Sequence, residues 1–162
     1  MSIFESSEHL PPARDDTEAH RQTTTWLTAF ATCLNERGWT SIAVVAADTP
    51  NVALDLAGID GQYAAFNADG RACAEVAGPS PTPPAHTVAY AESKYTDRIR
   101  LKKCLEANGY EVSEPPTKES FTDSVVNGSR TWDPVEDIGN AAAAGTIPFI
   151  SMENLYELCP WE

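Results

Sequence analysis

The first strongly periodic stretch of the chain lies between Asp15 and Arg37. Trp26, Leu27, Phe30 and Leu34 recur at steps of one, three and four, the spacing of one helix face. Asp15, Asp16 and Thr17 supply cap residues, Glu18 favours the positive helix end, and Gly38 stops the helix. The pattern then shortens to a period of two. Residues 41–47 (SIAVVAA) read as a strand, Thr49-Pro50-Asn51 as a turn, and Val52, Leu54 and Leu56 alternate with Ala53 and Asp55 as a second strand. Asp60-Gly61 is a hairpin signal. Residues 62–67, Asp69-Gly70 and residues 71–77 then continue an antiparallel meander. Helix plus meander makes a small α+β domain.

Four of the seven residues 78–84 (GPSPTPP) are proline, which predicts an extended, stiff connector. Beyond it the order changes. Strands are expected at 87–91 (TVAYA), 110–113, 124–127 (around Val125-Val126) and 146–150 (TIPFI). Helices are expected at 96–107, with Leu101, Cys104 and Leu105 inside and Asn108-Gly109 at the end, and at 133–144, with Pro134 in the first turn. A last helix spans 152–158, capped by Ser151. The predicted organisation is a flexible arm (1–16), an α+β domain (17–77), a Pro-rich linker (78–86) and an α/β domain (87–162) of order β-α-β-β-α-β-α. No internal repeat is read along the chain.

Composition narrows the function classes. The 162 residues carry a net charge of −13, and hydrophobic residues make up 42%, enough for a core. Residues 1–85 hold 4 basic and 11 acidic side chains, and residues 86–162 hold 7 and 13, so both halves are acidic. Such a surface repels phosphate backbone and anionic membrane at long range. It serves solubility, or else mimics nucleic acid with carboxylates standing for phosphates. Cys33, Cys73, Cys104 and Cys159 form no CxxC and no zinc spacing, and are expected as buried free thiols. The opening MSIFESSEHLPPARDD has neither a basic nor an apolar signal region, and no stretch approaches the roughly 18 apolar residues of a span. A cytoplasmic protein is expected.

The second half carries a resemblance. RIRLKKCLEANGYEV (98–112), TKESFTDSVVNG (117–128) and especially NAAAAGTIPFISMENLYEL (140–158) are similar to the BRCT domain family. Ala141, Gly145, Ile147, Pro148, Ile150, Ser151, Leu155 and Leu158 fall in register with that family's ending. The resemblance implies a four-stranded parallel sheet flanked by helices, and a non-enzymatic protein-binding adaptor in DNA replication or repair. The family's phosphate pocket uses Ser or Thr followed by Gly after the first strand, and a basic residue on the second helix. Here Ser93 and Thr96 stand without that Gly, and Arg130 is the substitute for the helix cation, so these three are the candidate phosphate contacts. The first half resembles YbjN or type III secretion chaperone modules, which are non-catalytic.

One local feature opposes the acidic background. Lys94, Arg98, Arg100, Lys102 and Lys103 stand against Asp97 alone within ten residues. They are the candidate DNA- or partner-binding residues, and direct binding of DNA ends or nicks through them is the alternative function. An acidic inhibitor or nucleic-acid mimic is the third. No enzyme, cofactor or metal is expected. His9, His20 and His86 fit no triad, and no Walker, GxSxG or HExxH motif occurs. Asp60 and Asp69, each before Gly, read as turn residues, and Trp132 and Trp161 as packing side chains.

Overall fold

The computed structural model describes residues 8–161. The chain divides into two units, Met1–Ala85 and His86–Glu162. Among the described residues there are six helices and one sheet, of two antiparallel strands. Among the described residues no helix is long and apolar enough to cross a membrane. The expected four-stranded parallel sheet is absent from the described residues, so the BRCT-like α/β architecture is overturned.

In the first unit α1 (Asp16–Glu36) forms as its periodicity requires. Asp15 accepts the Glu18 backbone N–H at 2.8 Å, satisfying one orphan donor of the first turn. Trp26, Phe30 and Leu34 are buried on the predicted stripe. Fully burying such side chains contributes about 1.5–3 kcal/mol each. The hairpin β1 (Ala43–Val45) and β2 (Ala53–Asp55) follows, pairing Val44 with Leu54. Those two are half-buried against the core and their strand neighbours are exposed, as a pleat dictates.

The meander stops there. Residues 62–77 are not two further strands but one helix, α2 (Tyr63–Ala77). Phe66, Gly70, Cys73, Ala74 and Ala77 step by four, three, one and three, and they form the buried side. Asp69-Gly70, a turn signal in isolation, lies inside this helix with Gly70 buried. Residues 8–13 and 78–84 then close the unit as a parallel strap. Leu10 N–H donates to Ser80 O at 2.9 Å and Ala13 N–H to Thr82 O at 3.1 Å. His9 Nδ1 and Ser80 Oγ share a 2.6 Å hydrogen bond. The proline-rich segment is thus hydrogen-bonded to the stretch expected as a loose arm.

The second unit is built from α3 (Val88–Ala107), α4 (Lys118–Val126), α5 (Pro134–Ala143) and α6 (Met152–Leu158). Thr87, Thr117, Asp133 and Ser151 cap them, each accepting a first-turn backbone N–H through its side chain. Caps decide two of the corrections. Thr87 starts a helix where TVAYA was expected as a strand. Thr117 starts the helix that absorbs Val125, which pairs with Phe121 one turn earlier as buried neighbours. The other two expected strands are irregular. Tyr110 and Val112 pack on the core, but the Ser113 N–H goes to the Asp137 carboxylate at 2.9 Å rather than to a ladder. In 146–150 Pro148 lacks an N–H, and the inward residues Ile147 and Ile150 are three apart, not two. The core clusters are Leu101, Leu105, Ile138, Leu155 and Cys159, and separately Ala91, Phe121 and Val125.

One short helix-ending motif occurs twice. Cys33-Leu34, three residues, Gly38-Trp39 recurs as Cys104-Leu105, three residues, Gly109-Tyr110. Both copies end a helix in one way. Gly38 and Gly109 take φ of +102° and +87°, open to glycine without strain. Trp39 N–H donates to Leu34 O at 3.0 Å, and Tyr110 N–H to Leu105 O at 3.1 Å. That is the Schellman closure, with its hydrophobic contact between the two ends. Each copy's cysteine is disulfide-bonded to a later one: Cys33 to Cys73, 40 residues on, and Cys104 to Cys159, 55 residues on. The expectation of four free thiols is overturned.

Candidate partner-binding surface

The basic run lies along α3, and three of its side chains face carboxylates. Helix α3 begins at Val88, so Lys94 to Lys103 sit in its body, away from the exposed N–H groups of its start. Arg98 pairs with Asp133 at 3.0 Å and Arg100 with Asp97 at 3.2 Å. Lys102 reaches Glu106 at 2.6 Å, the Val112 carbonyl at 3.1 Å and Glu114 at 3.9 Å. The Glu106 hydrogen bond, ahead of the surrounding carboxylate charges, holds the Lys102 ammonium above its ordinary range. Lys94 is half-buried and Lys103 is exposed. Acidic neighbours therefore neutralise Arg98, Arg100 and Lys102 locally.

Of the three candidate phosphate contacts, two are engaged within the fold. Ser93 is exposed on α3, the Thr96 hydroxyl donates to the Glu92 carbonyl at 3.1 Å, and Arg130 is paired with Glu136. A shallow depression of about 360 Å³ along α4 is lined by Thr117, Glu119, Ser120, Asp123, Ser124, Asn127 and Ser129. Its only charges are two carboxylates, which oppose an anionic ligand. In the first unit Asp69 is not a turn residue. It accepts Trp39 Nε1–H and Arg37 Nη1–H, both at 2.9 Å. The indole hydrogen bond, then the guanidinium, holds its carboxyl below the usual carboxylate range.

The outstanding surface feature lies where a buried strand was expected. Gly145, at φ +72°, ends α5, with Gly145 N–H donating to Ala142 O and Thr146 N–H to Ala141 O, both at 3.0 Å. The Thr146 hydroxyl adds a third bond to Ala141 O. The following loop is anchored by Ile147 and Ile150 on the core, and the residues between them point away. Phe149 is 86% exposed at this tip. Met152, in the first turn of α6, is 45% exposed. Glu153 and Glu157, one turn apart on α6, are exposed and have no ion-pair partner among the described residues. An aromatic knob on an anchored loop is thus followed along the chain by two exposed carboxylates on α6. Behind it, Leu155 is buried, Tyr156 meets Trp161 edge to face at 5.0 Å, and Cys159 is bonded to α3. Trp132 is half-buried and donates Nε1–H to Ser113 Oγ at 2.9 Å.

Sequence reasoning placed Phe149 inside a sheet and so missed this surface. The signal against a strand was the three-residue step between its flanking isoleucines. No family model, no curated protein and no solved structure matches this chain.

Proposed function

We propose that the chain is a non-enzymatic protein-binding module of two disulfide-stapled helical units, working where thiols are oxidised rather than in the cytoplasm. The partner contact is the Phe149 loop with α6. Its counterpart is a protein surface offering an apolar pocket for Phe149 and Lys or Arg side chains for Glu153 and Glu157. The observation that carries the reading is Phe149, 86% exposed on a loop that both flanking isoleucines hold in place. A buried aromatic anchor in a charged rim is the usual energetic centre of a protein contact. The two disulfides support the compartment, because such bonds persist in oxidising surroundings and are rare elsewhere. The DNA-directed readings lose their support with the sheet and with the pairing of the basic helix.

A photo-crosslinking phenylalanine analogue at Phe149, beside a control at Val76 (69% exposed in the first unit), tests the surface in the source cells. The expected result is a discrete adduct at 149 only, lost on Glu153→Lys with Glu157→Lys. Equal labelling at both positions, or indifference to the charge reversal, would overturn the reading. Phe149→Ser should leave stability within about 0.5 kcal/mol of the parent, as an exposed substitution does. Maleimide labelling of intact cells before lysis tests the compartment, and four reactive thiols there would contradict it.

A further inference from the structure

We infer that Cys104–Cys159 is a reducible latch on α6 and the Phe149 loop, opened by a thiol or dithiol reductant while Cys33–Cys73 stays closed. Its consequence for binding rests on the surface proposed above; the latch itself does not. The two bonds differ in access. Cys33 and Cys73 are 7% and 0% exposed, within the core between α1 and α2. Cys159 is 1% exposed, but Cys104 is only half-buried, so an incoming thiolate has one residue of that pair to approach. Asn108 Nδ2 lies 3.7 Å from both Cys104 Sγ and Cys159 Sγ. Its N–H groups are placed to stabilise whichever sulfur leaves as thiolate.

The bond also holds more than it would in a longer element. Helix α6 has seven residues and is too short to persist alone. Leu155 is its single fully buried side chain, and Cys159 follows directly as its C-cap. Opening the bond removes the covalent tie to α3 and leaves α6 resting on packing alone, from Leu155 and the Cys159 side chain with the half-buried Ile147, Ile150 and Trp161 around them. The chemistry balances with a dithiol as the named reductant. One thiolate attacks Cys104 Sγ, the S–S bond breaks, and Cys159 leaves as thiolate and takes a proton from water. The second thiol of the reductant then attacks the mixed disulfide and releases Cys104. Two electrons pass to the protein, and the reductant departs as a disulfide.

The test uses the full chain and graded dithiothreitol, quenched with iodoacetamide and mapped by mass spectrometry. Cys104 and Cys159 should be alkylated at least about tenfold faster than Cys33 and Cys73. Amide hydrogen exchange over residues 147–158 should quicken once that bond opens, while Phe30 to Leu34 in α1 stay protected. Equal rates, the reverse order, or an opened bond with unchanged exchange over 147–158 would overturn the latch. Selective opening with faster exchange, joined to no Phe149 adduct in either redox state, would keep the latch and remove the surface reading instead.

Discussion

Replacing both Cys33 and Cys73 by alanine tests how much the first unit depends on its staple. The bond closes a loop 40 residues long. In the chain-entropy description, a loop of that length contributes about 4 kcal/mol at 25 °C by restricting the unfolded ensemble. A unit of 85 residues has a total stability on the order of 4–13 kcal/mol. The staple is therefore comparable with the whole margin, and exceeds the roughly 1.5–3 kcal/mol from burying Phe30 or Leu34. Urea unfolding with hydrogen exchange at the Phe30 and Leu34 amides reads the first unit separately from the second. The expected outcome is a loss of about 3–4 kcal/mol, equivalent to roughly 15–30 °C in melting temperature. The urea m-value should rise, because the uncrosslinked denatured chain exposes more surface. A loss below about 1 kcal/mol with unchanged m would refute the reasoning, since the staple would then constrain neither state.

Three further outcomes follow from the same geometry. Gly109→Ala places a Cβ in open space but at φ +87°, so it should cost about 1–2 kcal/mol from backbone strain alone, measured by urea titration of the second unit. Asp69→Asn should flatten the acid limb of the first unit's stability profile. The parent carboxyl is depressed in the folded state, so its contribution is full above the unfolded carboxylate range and is lost as pH falls through the folded value. Thermal melts between pH 6 and pH 2 show the sign, and an unchanged acid limb would contradict it. Arg98→Glu faces Asp133 with a like charge and should destabilise the second unit by about 1–2 kcal/mol. Fluorescence anisotropy with 5′-phosphorylated duplex at low salt should show no binding by either protein, and salt-sensitive binding by the parent would restore the basic helix as a DNA site.

Where the chain's local signals and its tertiary packing agreed, the elements were legible. Helix α1 combines a cap, a buried stripe and a glycine stop, and α5 and α6 combine Asp133 or Ser151 with the turns that follow. Where they competed, packing won. Asp69-Gly70 is a turn signal by itself, yet Phe66, Cys73 and Ala74 around it lie on one helical face, and burying that face outweighs a mid-helix glycine. Val125-Val126 suggests a strand, yet the Thr117 cap and Phe121 place it in the last turn of α4. A short apolar run such as TIPFI does not distinguish strand from loop by periodicity. The disulfides were not legible: the repeated Cys-Leu and Gly-aromatic spacing holds Cys33 and Cys104 alone, and their partners Cys73 and Cys159 come near only in the fold. On α3, the Glu106 partner of Lys102 was readable four residues away, whereas the Asp133 partner of Arg98 required the fold.

The parallel strap gives the first unit a mechanical character. Residues 8–13 enter beside residues 78–84, which leave in the same direction. A pull on the chain through this unit drags the two segments past each other lengthwise. Their hydrogen bonds are then loaded together in shear instead of peeling open one at a time. Should the strap slip, Cys33–Cys73 keeps about 140 Å of contour from paying out, at roughly 3.5 Å for each of the 40 residues it encloses. Under tension the first unit would extend only through the residues outside that loop and hold the enclosed part of its core.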